Sequence, residues 1–340
     1  MKKVSLKDIA TAAGVSTALV SYVLTNKEKE ARIGEEMAKK IREIARQLNY
    51  QPNHIARSLK SGRSFTIGLV MADISNAFFA NIARTIEDEA KRNNYTVIFG
   101  SSDENVDKSQ DLINVLLNRQ VDGLIITPTE GSEKQIAWLQ EQHVPFVLID
   151  RFFPGINANH IAVNNFESAY QAVTHLVKAG RKRIGMIAYE TTLHHIAERK
   201  RGYLEAMRDH RMPDAEKRLK TARYSHLKTD IRTAIDQLCT GPDRADAIFF
   251  ATNSLAIEGL KYINELRIRV PDILAIIAFD EGEAFDLFYS PVTYIQQPIL
   301  QMGKEAVRVL LEQIKDQQKT VENIFIDTTL VVRQSCGSKR

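Results

Sequence analysis

At 340 residues the chain exceeds one ordinary domain, and 44% hydrophobic with 26% charged residues is the composition of a globular protein with a sizeable core. Its two cysteines, Cys239 and Cys336, lie far apart outside any C-x-x-C spacing, which argues against a disulfide framework or a zinc site and fits a reducing compartment. The net charge of +4 is unevenly divided: residues 1–64 hold 13 Lys/Arg against 6 Asp/Glu, net +7, leaving −3 on the remainder, so a polyanionic partner is expected for the head alone.

The first ten residues, MKKVSLKDIA, have no apolar run behind their lysines, so no signal peptide is expected. No stretch approaches ~18 apolar residues, so no membrane span is expected either, and the location follows as cytoplasmic.

In LKDIATAAGVSTALVSYVLTNK, residues 6–27, two short apolar-periodic runs flank Gly14. Ser5 caps a first helix with Asp8 as its capping-box partner, and Leu6, Ile9, Ala10 and Ala13 share one face. Gly14 ends that helix in a left-handed turn, and Ser16 caps a second helix with Leu19, Val20, Val23 and Leu24 inward. A third helix within 33–50, carrying Met37, Ile41, Ile44, Ala45 and Leu48, closes a miniature core. This is the pattern of a helix-turn-helix whose second helix offers Thr17, Ala18, Ser21 and Tyr22 to a DNA major groove.

After Tyr50, in QPNHIARSLKSGRSFTIGLV, Pro52 blocks continuation of the third helix and Asn53 can cap a new one. His54–Lys60 spans two helical turns, fewer than the ~12–15 residues an isolated helix needs in water, and Ser61–Ser64 reads as a linker. Such a segment reads as a conditional element between head and body, or else as an ordinary linker.

These residues carry a family resemblance. LKDIATAAGVSTALVSYVL, then LNYQPNHIARSLKSGRS running into IGLV, resembles the lactose-repressor (LacI/GalR) family of bacterial transcriptional regulators. The resemblance implies that hinge helices of a dimer fold on operator DNA with paired leucines wedged into the minor groove, and by position Asn53, Ala56 and Leu59 take those roles. With Leu6, Ser16, Thr17, Ala18, Ser21 and Tyr22 they make up the expected DNA-binding set. The chain departs from the family at Tyr22, where an Arg is usual, at Thr25 for Asn, and at Gly34 for the Ser cap of helix three. A bidentate Arg–guanine contact is therefore absent at residue 22, which shifts weight to hinge and shape readout.

From Thr66 the period changes. TIGLVMA, TVIFG, GLIIT, PFVLI, RIGMIA, AIFFA and LAIIAF are apolar runs of strand length, alternating with helix-like segments near 77–93, 107–119, 131–142, 166–179, 196–210, 227–239 and 254–266. Runs apolar on both faces, each followed by a helix, predict parallel sheets covered on both sides, in two similar halves dividing near Ala162–Asn165. The fold class is α/β: an all-α head, residues 1–52, a hinge helix and linker, 53–63, and a body, 64–335. The resemblance implies that the body is periplasmic-binding-protein-like, two Rossmann-like subdomains joined by three crossovers. The first is expected over 64–162 and 293–323, the second over 163–292 and 324–335.

Ligands of open α/β sheets sit beyond the carboxyl ends of the strands. The residues there are Asp73, Asn76, Phe78 and Phe79; Asp103; Thr127 and Thr129; Asp150 and Arg151; then Glu190, Arg199, Tyr224, Asn253 and Asp280. From these the expected effector set is Asp73, Asn76, Phe79, Thr127, Asp150, Arg151, Arg199, Tyr224, Asn253 and Asp280. Short polar groups beside aromatic rings suit a sugar-like molecule. By resemblance Arg199 and Asp280 are effector contacts and Tyr224 packs on the ligand. Where the family often has Asn-Asp, this chain has Asn253-Ser254, which alters the ligand's polar partners.

No G-x-x-x-x-G-K-[ST], G-x-G-x-x-G, G-x-S-x-G or H-E-x-x-H occurs. His194-His195 fits surface or cleft histidines better than helical metal ligands, and Trp138 is expected in the core with Ile136 and Leu139. No cofactor, metal or catalytic residue is expected. The reading is a sequence-specific regulator, a repressor, that binds double-stranded operator DNA as a homodimer under control of a sugar-like effector. The alternatives are a regulator controlled by a docked protein with a vestigial cleft, and an enzyme tethered to DNA. The resemblance implies a C-terminal heptad segment in the family's tetramer-forming members; RQSCGSKR shows no such repeat, so a dimer is expected.

Overall fold

The structure, a computed structural model, describes residues 4–50, 62–316, 318 and 320–338 and divides at Ser64 into two units. In the first, α1 (Leu6–Ala13) begins at a full capping box: Ser5 Oγ accepts from the Asp8 amide, and Asp8 Oδ2 accepts from the Ser5 amide at 2.7 Å. Gly14, at φ 72°, ends it, and Ser16 caps α2 (Thr17–Leu24) by accepting from the Leu19 amide. Gly34 gives α3 (Glu35–Gln47) no side-chain cap; Glu35 and Glu36 instead meet the positive end of its dipole. Ile9, Val20, Val23 and Ile41 are fully buried at the centre, with Ala10, Ala13, Ala38 and Ala45 between them. Leu48, expected to face inward, is 37% exposed: α3 ends at Gln47, so Leu48 leaves the helical stripe as its cap and Asn49 reverses the chain at φ 49°.

In the second unit β1 (Thr66–Met71), α4 (Ala77–Arg92), β2 (Thr96–Ser101), α5 (Val106–Asn118), β3 (Gly123–Ile126), α6 (Glu133–Glu141), β4 (Phe146–Ile149) and β5 (His160–Val163) alternate. The alternation repeats through α7 (Asn165–Lys178), β6 (Ile184–Tyr189), α8 (His194–Asp209), α9 (Ala215–Arg218), β7 (Leu219–Ala222), α10 (Leu227–Cys239), β8 (Ala247–Phe250), α11 (Asn253–Glu265) and β9 (Ala275–Phe279). Then come α12 (Ala284–Leu287), β10 (Thr293–Gln296), α13 (Ile299–Lys315), β11 (Asn323–Ile326) and β12 (Thr329–Val331).

Two six-stranded sheets result, in the orders β11-β5-β4-β3-β1-β2 and β12-β10-β9-β8-β6-β7. Every pairing is parallel except β10 with β12. Strands β3, β4, β5, β8 and β9 are buried at every residue, as helices on both faces of a parallel sheet require. The β2 edge is more open, with Phe99 exposed. Among the described residues no helix is long and apolar enough to cross a membrane.

Two expectations about the body are corrected. Residues 293–323 do not all return to the first subdomain: β10 pairs with β9 (Thr293↔Ile277) in the second sheet, and only α13 packs on α4 and the first sheet. Conversely β11 pairs with β5 (Asn323↔His160) in the first sheet, so the final crossing lies after Ile326 rather than at residue 324. The chain therefore passes between the sheets at Asn164, at Gln297–Pro298 and at Asp327–Thr328. Trp138 is the other correction. On α6 the inward stripe is Gln135, Ile136 and Leu139, which turns Trp138 outward at 41% exposure.

Candidate effector cleft and DNA-reading helix

On α2 the positions 17, 18, 21 and 22 lie on the face opposite Val20 and Val23. Thr17, Ala18 and Tyr22 are exposed there, Ser21 is half-buried, and Ser16 is exposed as the cap. Leu6 is half-buried against the core of this unit. Asn53, Ala56 and Leu59 lie outside the described residues.

In the second unit the carboxyl ends of the two sheets open on a common cleft. Asp73, Asn76, Phe79, Asp150, Arg151, Arg199, Tyr224 and Asp280 line it, as expected from their places past the strands. Tyr224, beyond β7, donates to Asp73 Oδ2 beyond β1 at 2.6 Å, so the two halves are directly linked. Asn76 caps α4 through the Phe78 amide (3.0 Å) and exchanges side-chain hydrogen bonds with Asn253 at 3.0 and 3.3 Å. Asn253 thus holds a lining residue from behind rather than lining the cleft. Thr127 is fully buried at the end of β3, off the cleft lining, and its hydroxyl has no hydrogen-bond partner.

The charged floor is tightly organised. Arg151 donates two 2.7 Å hydrogen bonds to Glu104, reaches the Pro128 carbonyl at 3.3 Å, and lies 5.4 Å from the Phe79 ring centre. Arg199, only 2% exposed, donates Nε to Asn165 at 2.8 Å and Nη1 to the Ala251 carbonyl at 2.7 Å while stacking on Phe279. Asp280 accepts from Gln297 Nε2 at 2.6 Å. Burial raises Asp280 to about 6, against the pull of Arg199 and Gln297, and burial likewise raises Asp150 against Arg151 and Arg199. Burial, then the two guanidiniums, holds His195 well below the usual histidine range, so it is neutral. Burial also pushes Asp73 up, but hydrogen bonds from Ser75 and Tyr224 outweigh it and keep that carboxyl ionised.

Glu104, Tyr189, His195, Thr252 and Ser254 also line the cleft, and Gln297 supports its floor; none was in the expected effector set. Glu104 follows Asp103, and both adopt left-handed backbone, which turns the second carboxylate inward while Asp103 pairs outward with Lys108. His195 belongs to the adjacent pair read as surface or cleft histidines. Of the other strand-end residues, Asp103, Thr129 and Glu190 stay off the lining.

A three-helix head with a polar face on its second helix, and two parallel sheets facing across a polar cleft, match known proteins. The model described as bacterial regulatory proteins, lacI family, matches residues 5–53, and a periplasmic binding protein-like domain matches residues 173–336. The HTH-type transcriptional regulator RegA of Clostridium acetobutylicum is 32% identical over 98% of this chain and 99% of its own length. The chain belongs to the lacI family. This lacI-family chain is accordingly a DNA-binding transcriptional regulator, and its relatives are regulators rather than enzymes. The ribose operon repressor of Haemophilus influenzae is 28% identical over 98% of this chain and 99% of its own. In fold, the lac repressor dimer bound to operator and the anti-inducer ONPF superposes with a TM-score of 0.85 at 22% identity, covering 99% of this lacI-family chain and all of that one.

Proposed function

We propose that this regulator is a repressor that binds a pseudo-palindromic operator as a homodimer in the cytoplasm, and that a sugar-like effector in the cleft sets its operator affinity. Each head reads one half-site with Thr17, Ala18, Ser21 and Tyr22, Leu6 and Ser16 support that helix at the DNA, and Asn53, Ala56 and Leu59 act at the hinge. The observation that carries the reading is the cleft itself: buried Asp150, Arg199 and Asp280 converge from both halves, which Tyr224–Asp73 already links. A ligand bridging the halves changes their separation, and a coupling of ~1–3 kcal/mol to the hinge would change operator occupancy ~5–150-fold. A ribose operon repressor among the relatives, and an anti-inducer in a structure of the same fold, support both the repressor role and the small ligand.

The test is operator binding by fluorescence anisotropy, with and without a panel of sugars, for the native chain and Arg199→Ala. One sugar should shift the native affinity and leave the variant unmoved. An equal response in Arg199→Ala would remove Arg199 from the site, and no response to any sugar would remove the effector.

A further inference from the structure

We infer that the cleft takes a ligand whose buried face is made of hydrogen-bond donors and bears no negative charge, an uncharged or amine-bearing polyol, and that it rejects phosphorylated and acidic sugars. This rests on the effector reading above and narrows it.

The argument starts from the pseudo-repeat. Strands β4 and β9 occupy the same place in their sheets, third from the β11 and β12 ends, and each is followed at once by an aspartate in left-handed backbone, Asp150 at φ 68° and Asp280 at φ 70°. Aspartate tolerates that conformation better than most residues, and here it sets the two carboxylates on the cleft floor, 4% and 5% exposed. They are close enough for Asp150 to raise the proton affinity of Asp280 by repulsion, after burial itself. Gln297, in the crossing segment between the halves, donates to Asp280, while its own Oε1 is buried and unpartnered. His195, neutral and lining the cleft, likewise has a buried Nδ1 with no partner. Of these His195 faces the cleft, where its Nδ1 can accept from a ligand and the Tyr189 hydroxyl, also buried and unpartnered, can accept or donate, while Gln297 lies behind the lining.

The cations do not offset them. Anion recognition by arginine works through two parallel N–H groups of one guanidinium. Arg151 already makes that bidentate contact to Glu104, and its buried Nε, 3.5 Å from Asp150 Oδ2, makes no hydrogen bond. Arg199 has Nε and Nη1 engaged and only Nη2 left for a ligand. Against these two guanidiniums the lining holds four carboxylates, Asp73, Glu104, Asp150 and Asp280. A hydroxyl, which both donates and accepts, suits such a floor whether Asp150 and Asp280 hold their protons or not; a phosphate or carboxylate adds an anion beside four carboxyl groups and finds no free guanidinium fork to hold it.

The experiment is calorimetric titration of the full chain at near-neutral pH and fixed ionic strength with ribose, glucose, galactose, cellobiose and glucosamine, and with ribose 5-phosphate, glucose 6-phosphate and glucuronate. The expected result is that at least one neutral or amino sugar binds and beats its own acidic derivative by at least about tenfold. An acidic derivative that binds within tenfold of its parent, or more tightly, overturns the inference and leaves the effector reading standing. Absence of binding by every probe overturns both. In Asp150→Asn the preference for the parent over its acidic derivative should shrink severalfold; an unchanged preference would show that the buried carboxylates do not set it.

Discussion

Asp280 illustrates how a residue proposed to bind a ligand costs the fold something before any ligand arrives. Burial raises its carboxyl to about 6 from an ordinary 3.8. Between those values the folded chain binds more protons than the unfolded one, so stability falls as pH rises through the window and the penalty is complete above it. Asp280→Asn cannot ionise and keeps an acceptor for Gln297. Urea denaturation should therefore find the variant more stable than the native chain near neutral pH, by up to ~3 kcal/mol, with the gain shrinking as pH falls through 6 toward 4. A gain independent of pH would mean that Asp280 is not titrating in that range.

At the scale of elements, close packing of α7 on α8 depends on one residue. A Cβ built on Gly202 would stand 2.3 Å from the Phe166 carbonyl oxygen and 3.0 Å from the Ala169 Cβ, and neither the backbone oxygen nor the helix behind it can swing away. Gly202→Ala should thus destabilise the body by ~1–3 kcal/mol in chemical denaturation despite alanine's better helix propensity. A neutral or stabilising change would show that α8 can shift. The loops offer a second prediction. Glu130, beyond β3, accepts from the Thr192 amide (2.7 Å), Thr192 Oγ1 (2.6 Å) and Thr191 Oγ1 (3.0 Å), beyond β6. It joins the halves without lining the cleft. If ligand binds the closed arrangement, Glu130→Ala should weaken effector affinity by about 1 kcal/mol, roughly fivefold, although it touches no ligand. Unchanged affinity in titration calorimetry would show that closure is not held there.

Elements were readable in the chain where burial on both faces leaves an unbroken apolar run, as in β3, β4, β8 and β9. Strand β7 was not, because an edge position lets Lys220 and Thr221 interrupt it, and β5 begins with His160. Nor could the pattern assign β10 and β11 to their sheets: both are four-residue runs of mixed polar and apolar residues, and only their registers with β9 and β5 separate them. The cleft followed the same rule. Asp150, Arg151 and Asp280 come directly after strands and were found; Gln297 lies in a crossing segment and Tyr189 within a strand's last residue, where no strand-end rule looks. Glu104 depends on a local left-handed pair that its sequence does not announce.

For the molecule as a whole, the proposed switch is a linkage between two ligands, and linkage constrains both measurements. If the effector multiplies operator affinity by a factor, operator must multiply effector affinity by that same factor, whichever direction the response takes. A factor of ~5–150 is expected for an ordinary allosteric coupling. Its size can be read twice without knowing whether the ligand induces or corepresses: from operator affinity with and without saturating effector, and from effector affinity with and without saturating operator. The operator measurements must share one salt concentration, because the basic head, net +7 over residues 1–64, makes that affinity fall steeply with added salt whatever the effector does. Equal factors far from one, whether above or below it, establish that cleft and DNA bias a common equilibrium. Factors near one in both directions would mean that the cleft binds its ligand without informing the head, and the control of this regulator would then have to enter by another surface.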